Sequence, residues 1–347
     1  MAARSLLIAP NWIGDAVMSQ PLAALIRQRH PEPLDAVAAP HIAPVMRAMP
    51  QIAEVIEMPL QRGSLQLSAR LALARQLRAR HYQRCYVLPN NLKSAVAPWL
   101  AGIPERIGHR GEARYGLINR MHKVGHGRNQ LMVDYYARLA VDPGAKPAPR
   151  LGDPRLRISP AALQASREKF FPEGGEPVVV FSPGAEYGPA KRWPTRHFAA
   201  LASSLLARWP RARVVMLGAA KERALATEII ALAGRRLDNL CGETSLDEAM
   251  AVIALADAMV TNDSGLMHLA AALERPLVAL YGSSDPRHTP PLSDQARVMW
   301  LQLSCSPCFA RACPLGHTDC LNKLTPDSVL ASLTQILQPE PAARRGS

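Results

Sequence analysis

The chain alternates short apolar runs with longer segments in which apolar residues recur at helical spacing. In the first half the runs are Ser5 to Pro10, Asp35 to Pro40, Glu54 to Met58 and Cys85 to Pro89. In the second they are Val178 to Ser182, Val214 to Gly218, Ala258 to Thr261 and Leu277 to Tyr281. All are rich in aliphatic and β-branched residues and read as strands; strands that alternate with helices imply parallel sheets. Leu65 to Arg80 illustrates the helical segments: Leu65, Leu73 and Leu77, with small alanines between them, predict a helix that faces a sheet and turns its arginines to water.

A length of 347 residues suggests two domains. The Pro, Gly and Asp cluster from Asp142 to Pro160 is the expected boundary, with a second break at Pro172 to Pro177. The expected division is 1–160, 161–338 and a flexible tail over 339–347. Both halves begin alike, with an apolar strand that ends in a polar turn: Pro10-Asn11-Trp12-Ile13-Gly14-Asp15 in one, Ser182-Pro183-Gly184-Ala185-Glu186 in the other. The expected fold is therefore α/β with a parallel sheet in each half, and two such sheets facing each other would leave a cleft. Ligands of such sheets bind at the carboxyl ends of the strands, where helix N-termini converge.

Apolar residues make up 48% of the chain and charged residues 20%, an ordinary globular balance. No run approaches the roughly 18 apolar residues of a membrane span. The N-terminus lacks the pattern of a signal peptide, because the stretch Leu6 to Pro10 is short and runs straight into Asn11, Trp12 and Asp15. A cytoplasmic protein is expected.

Charge changes the picture more. Of the formal +13, a surplus of +11 lies between Met58 and Val133, where thirteen basic residues face only Glu105 and Glu112. One segment carries the field, which implies an anionic partner there: a phosphorylated substrate, an acidic membrane surface or nucleic acid. Nucleic acid is disfavoured, because Tyr82, Tyr86, Trp99 and Tyr115 are too sparse in that segment to form stacking platforms.

Several chemistries are excluded by missing motifs. There is no Gly-x-x-x-x-Gly-Lys-Ser/Thr loop, and the first strand is followed by one glycine where a dinucleotide site needs three. His-Glu-x-x-His and Gly-x-Ser-x-Gly are absent as well.

What remains are polar residues at strand ends. Asp15 stands where a helix should open at Ala16 to Met18, either as an N-terminal cap or as a general base. The loop Pro183 to Pro194 combines three prolines and two glycines with Lys191 and Arg192, the composition of an anion-binding loop. In Thr261-Asn262-Asp263-Ser264-Gly265-Leu266-Met267-His268, Asp263 or Ser264 can cap the following helix while the N–H groups of Gly265 and Leu266 hold phosphate oxygens. Glu222, just beyond another strand, is either a ribose-binding acid or a surface residue. Cys305, Cys308, Cys313 and Cys320 have the spacing C-x2-C-x4-C-x6-C with His317 nearby. They read either as a tetrahedral zinc site, from whose usual paired knuckles the second half departs, or as reduced thiols.

Taken together, Ala9-Pro10-Asn11-Trp12-Ile13-Gly14-Asp15-Ala16-Val17-Met18-Ser19-Gln20, the Pro183 to Pro194 loop, Thr261 to His268, Tyr281-Gly282-Ser283-Ser284 and Thr289-Pro290-Pro291 resemble the ADP-heptose lipopolysaccharide heptosyltransferases, and within that family the enzymes of the second core heptose. The resemblance implies a GT-B architecture, two Rossmann-like, doubly wound parallel-sheet domains facing a central cleft, and inverting transfer of L-glycero-D-manno-heptose from ADP-heptose to heptosyl-Kdo2-lipid A; a related acceptor, the first or third core position, is the alternative. It implies that Asp15 and Lys191 are catalytic, as general base and diphosphate contact. The donor is expected on Ser182, Gly184, Ala185, Lys191, Glu222, Asp263, Ser264, Gly265, Leu266 and His268. The acceptor is expected on Asn11, Trp12, Arg110, Arg114, Arg120 and Lys123, with peripheral contact to the anionic leaflet of the inner membrane. No cofactor and no metal are expected for the reaction.

Overall fold

The computed structural model describes residues 4–58, 66–123, 130–145, 152–173 and 177–337. The expected tail, Leu65, Arg62 and Arg128 lie outside them. The chain divides into two compact units, Met1–Arg157 and Ile158–Ser347.

The first unit is built on six parallel strands: β1 (Arg4–Ile8), β2 (Leu34–Ala38), β3 (Ile52–Glu57), β4 (Tyr82–Val87), β5 (Glu105–His109) and β6 (Arg120–His122), in the order β3-β2-β1-β4-β5-β6. The second unit has β7 (Val178–Ser182), β8 (Arg213–Met216), β9 (Asp238–Asn239), β10 (Ala258–Asn262), β11 (Leu277–Tyr281) and β12 (Ala296–Trp300), in the order β12-β11-β10-β7-β8-β9. Counted from its own first strand, the second sheet repeats the order of the first. Both are Rossmann-like, and in each the order reverses between the first and fourth strands, the switch point at which open α/β sheets bind ligands.

All eight apolar runs are strands. β2, β7, β10 and β11 are buried along their whole length, as strands covered by helices on both faces must be. The four strands that the apolar pattern misses are β5, β6, β9 and β12. β5 and β6 are dominated by charged and polar residues, β9 has two residues, and β12 is a half-exposed edge.

The helix predicted over Leu65 to Arg80 spans Leu67–Ala79 and buries Leu73, Ala74 and Leu77. One arginine departs from expectation. Arg70 lies on the same stripe, one turn before Leu73 and Ala74, is only 5% exposed, and donates to the Lys93 carbonyl at 2.5 Å. In the second unit Phe181, Trp193, Phe198, Leu201 and Leu205 pack into one cluster with strands β7, β8 and β10. Each such side chain contributes about 1.5–3 kcal/mol by leaving water. That rigid base fixes the strand ends from which the polar loops depart.

Candidate functional site

In the second unit β7 and β10 are neighbours, with Ser182 opposite Thr261, so the loops after both strands leave the sheet side by side. Asn262, the last residue of β10, ties them together. Its side-chain N–H groups donate to the Pro183 carbonyl at 2.7 Å and the Gly184 carbonyl at 3.3 Å, and its side-chain oxygen accepts from the Trp193 N–H at 2.9 Å. Trp193 is buried and donates its indole N–H to the Leu324 carbonyl. Both ends of the Pro183 to Pro194 loop are thereby pinned, and Lys191 is delivered to Asp263, with 2.5 Å between Nζ and Oδ2. Lys191 also lies over the Tyr187 ring, 5.3 Å from its centroid.

Asp263 is therefore occupied by an ion pair and does not cap the next helix. That helix is Gly265–Ala272, and Ser264 is its N-cap without a side-chain cap bond. The Ser264 hydroxyl instead stands 3.4 Å from the Thr261 hydroxyl. Ser264, Gly265 and Leu266 are half-buried. His268 is buried, and burial pushes its imidazole down to about 4, with Asp263 opposing and Lys191 adding to the shift. It is a neutral ring at physiological pH.

Glu222 is 9% exposed, not a surface residue. Its Oε2 accepts the Ala219 N–H at 2.8 Å. The carboxylate nests against two glycines at strand ends: a Cβ on Gly184 would stand 1.7 Å from Oε1, and one on Gly218 2.5 Å from Oε2. Ser182 and Ala185, which flank Pro183 and Gly184 in the chain, are buried. Thus Ser182, Gly184, Ala185, Lys191, Glu222, Asp263, Ser264, Gly265, Leu266 and His268 are gathered around the carboxyl ends of β7, β8 and β10.

In the first unit, the helix after β1 starts at Ile13, three residues earlier than the sequence suggests, and Trp12 is its N-cap without a side-chain bond. Asp15 falls in the first helical turn, where the unpaired N–H groups favour a negative charge. Its carboxylate accepts a hydrogen bond from the Tyr136 hydroxyl, supplied by the helix Met132–Ala137. Burial, then the charge of Asp15, holds that phenol well above its ordinary range. Asn11 and Trp12 are exposed, and the Asn11 carbonyl accepts from His41 at 3.2 Å. Asn11, His41, Arg70, Asn91, Lys93 and Glu112 line a cavity of about 310 Å³ at the ends of β1, β2 and β4.

The basic segment is not a uniform face. Arg114 is fully buried, its guanidinium donating to the Pro89 carbonyl at 2.6 Å, the His109 carbonyl at 2.5 Å and the Asn90 side chain at 3.3 Å. An acceptor contact at Arg114 is corrected to a structural role: it ties the loops after β4 and β5 together. Arg120 is exposed but paired with Asp142. Arg80 pairs with Glu54, and Arg84 with Glu32 and Glu105. Most of these acids lie outside Met58 to Val133, so a segment count overstates the field. Arg110 and Lys123 are exposed.

Tyr136, Asn262 and Trp193 went unnoticed in the sequence. Asn262 alone carried a signal there, as a polar residue that ends an apolar strand.

The four clustered cysteines are free thiols lining one small cavity of about 20 Å³ with Ala190, Ser283 and His317. Backbone N–H groups, Thr318 foremost and then Leu315, Gly316 and His317, hold the Cys313 thiol below its ordinary range.

Residues 70–319 match the model of glycosyltransferase family 9 (heptosyltransferase). The lipopolysaccharide heptosyltransferase 2 of Escherichia coli is 42% identical over 97% of this chain and 99% of its own length. The lipooligosaccharide heptosyltransferase 2 of Haemophilus influenzae is 40% identical over 85% of this chain and 88% of its own. The solved structure of the E. coli ADP-heptose lipopolysaccharide heptosyltransferase II superposes with a TM-score of 0.86 at 41% identity, covering 97% of this chain and 99% of that one. With two Rossmann-like sheets and matches of this extent, the chain belongs to glycosyltransferase family 9, the heptosyltransferases, and has the GT-B class of fold.

Proposed function

We propose that this enzyme transfers L-glycero-D-manno-heptose from ADP-heptose to heptosyl-Kdo2-lipid A, the second heptose step of the lipopolysaccharide inner core. The observation that carries the donor half is the Lys191–Asp263 pair at the switch point of the second sheet. There a cation, the N-terminus of the helix Gly265–Ala272 and two glycine-lined strand ends offer what a diphosphate needs. Glu222 is the acid for the ribose diol, and the buried neutral His268 shapes the floor of the pocket.

Asp15 acts as general base. It takes the proton of the acceptor hydroxyl as that oxygen bonds to the anomeric carbon of the heptose, the bond from that carbon to the diphosphate breaks with its electrons going to ADP, and the single displacement inverts the configuration. Charge grows on the diphosphate as the bond lengthens, so Lys191 and the helix N-terminus bind the transition state more strongly than the ground state. Metal is not assigned a step.

The exposed Arg110 and Lys123, with the neighbouring Arg120, draw in an acceptor that carries Kdo carboxylates and lipid A phosphates. They also favour contact with the anionic cytoplasmic leaflet, at about 1 kcal/mol per basic residue near the surface. Among the described residues no helix is long and apolar enough to cross a membrane.

Two measurements test the reading. Purified enzyme is assayed with ADP-heptose and truncated acceptors bearing zero, one or two heptoses; transfer to the single-heptose acceptor is expected, and preference for another moves the assignment to that core position. Asp15→Asn should lower kcat at least ~100-fold, the scale of a lost general base. Near-normal turnover by that variant removes Asp15 from the role.

A further inference from the structure

We infer that Cys305, Cys308, Cys313 and Cys320 together bind one thiophilic metal ion, zinc by preference, and that this ion braces the loop carrying Lys191. The starting point is a segment without a core. From Leu301 to Cys320 no residue is buried, and regular structure resumes only with the helix Asp319–Asn322. A twenty-residue stretch of this kind inside a compact domain has little hydrophobic burial to offset the entropy of ordering it. Hydrogen bonds to Gly282, Ser283, Tyr187 and Ala190 tie it down at points, and the four thiols that share one small cavity offer a further hold.

The backbone is shaped for such a site. Phe309, directly after Cys308, and Gly316, three residues after Cys313, take left-handed φ values of 56° and 74°, which turn the chain tightly back past each sulfur. Cys313, with Leu315, His317 and Thr318 of the same turn, lines the cavity alongside the other thiols. Cys320 lines the same cavity as the other three. His317 is engaged elsewhere, its Nδ1 accepting the Asp319 N–H at 2.9 Å, which leaves a four-sulfur set, the closed coordination of structural zinc. Among the described residues no three His, Cys, Asp or Glu side chains stand ready to hold an ion. Loading the ion therefore requires the four thiols to close on the cavity they share.

The bracing follows from the hydrogen bonds on the other side of the segment. The Ala190 N–H donates to the Arg311 carbonyl at 3.1 Å, Arg311 Nε donates to the Tyr187 carbonyl at 2.9 Å, and the Tyr187 hydroxyl donates to the Phe309 carbonyl at 2.8 Å. A Cβ on Gly188 would stand 2.3 Å from the Arg311 oxygen, so the two backbones lie flush. This part rests on reading Lys191 as a diphosphate contact; the metal site does not.

The full-length chain, purified without added metal, is analysed for elements. About one zinc per chain is expected, released when a mercurial modifies the thiols, and cobalt(II) reconstitution should give the thiolate charge-transfer bands of a tetrahedral site. The Cys305→Ser/Cys308→Ser double variant should lose the ion. One iron per chain supports the site and changes the ion. Neither metal, with all six thiols titrating freely or with disulfides among the four, overturns the proposal. The bracing is read separately by ADP binding to the metal-depleted protein that retains its circular dichroism. At least a tenfold weaker affinity is expected, the lower end of the effect of losing a supporting shell; unchanged affinity overturns the bracing and leaves the site.

Discussion

At the scale of single residues, the groups proposed to carry the chemistry are supported by partners remote in sequence. Tyr136 donates to Asp15 from a helix more than a hundred positions away. A hydrogen bond to a charged group contributes about 1.5–3 kcal/mol. Tyr136→Phe should therefore lower kcat roughly 10- to 100-fold with little change in KM, and the acid limb of the pH–rate profile should move up, since the carboxylate has lost a donor that favours its charged form. An unmoved limb with full activity would show that the contact is idle. His268 makes a different prediction. Its imidazole is held at about 4 in the folded chain and returns to about 6.5 on unfolding. Between those values the unfolded chain binds a proton that the folded one refuses, so stability falls as pH drops from 6.5 toward 4, by up to about 3 kcal/mol. Urea midpoints over that range should fall less steeply in His268→Gln than in the parent; equal slopes would dismiss the effect. That Asp15, Lys191, Asp263 and Glu222 stand near strand ends was legible in the sequence, and such ends are where these sheets carry chemistry. Tyr136 was not, because nothing in a linear pattern says which distant hydroxyl meets a carboxylate.

At the scale of elements, the loops work because the strands end in residues that leave room. Gly184 and Gly218 accept the Glu222 carboxylate where any side chain would collide. Gly184→Ala should expel Glu222, break its bond to the Ala219 N–H, destabilise the protein by about 1–3 kcal/mol and raise KM for the nucleotide sugar. Thermal unfolding and donor titration check both, and an unchanged KM would take Glu222 out of the donor site. The alternation of apolar runs with helical segments was enough to expect two parallel sheets, since the strands buried on both faces are rich in Val, Leu and Ala. β5, β6 and β12 escaped because Glu105, Arg106, Arg120 and Arg297 sit within them, where neighbouring strands rather than apolar content impose the extended backbone.

For the whole molecule, the basic surplus divides into arginines that build the first domain and a few that remain available to a partner. Arg114→Glu places a carboxylate among the Pro89 and His109 carbonyls and should unfold that domain. Arg110→Glu/Lys123→Glu should leave thermal stability and ADP binding intact while weakening retention on anionic vesicles and raising KM for the acceptor. Loss of ADP binding in the double variant would count against separate roles for the two domains. Counting charges along the chain could not make this distinction, because Glu32, Glu54 and Asp142 reach the segment only through folding. The Lys191–Asp263 pair adds a contrast. With side chains 18% and 5% exposed, it arrives already neutralised, and on the proposed donor site a diphosphate would bind by exchanging one partner of the lysine for another. Exposed charges are screened within roughly 8 Å at physiological ionic strength, while an exchange inside a sheltered pocket hardly registers salt. Ionic strength thus acts as a dial on acceptor capture alone: an enzyme in dilute buffer and one in concentrated salt should hold the nucleotide sugar equally well and differ in how often they meet the lipid.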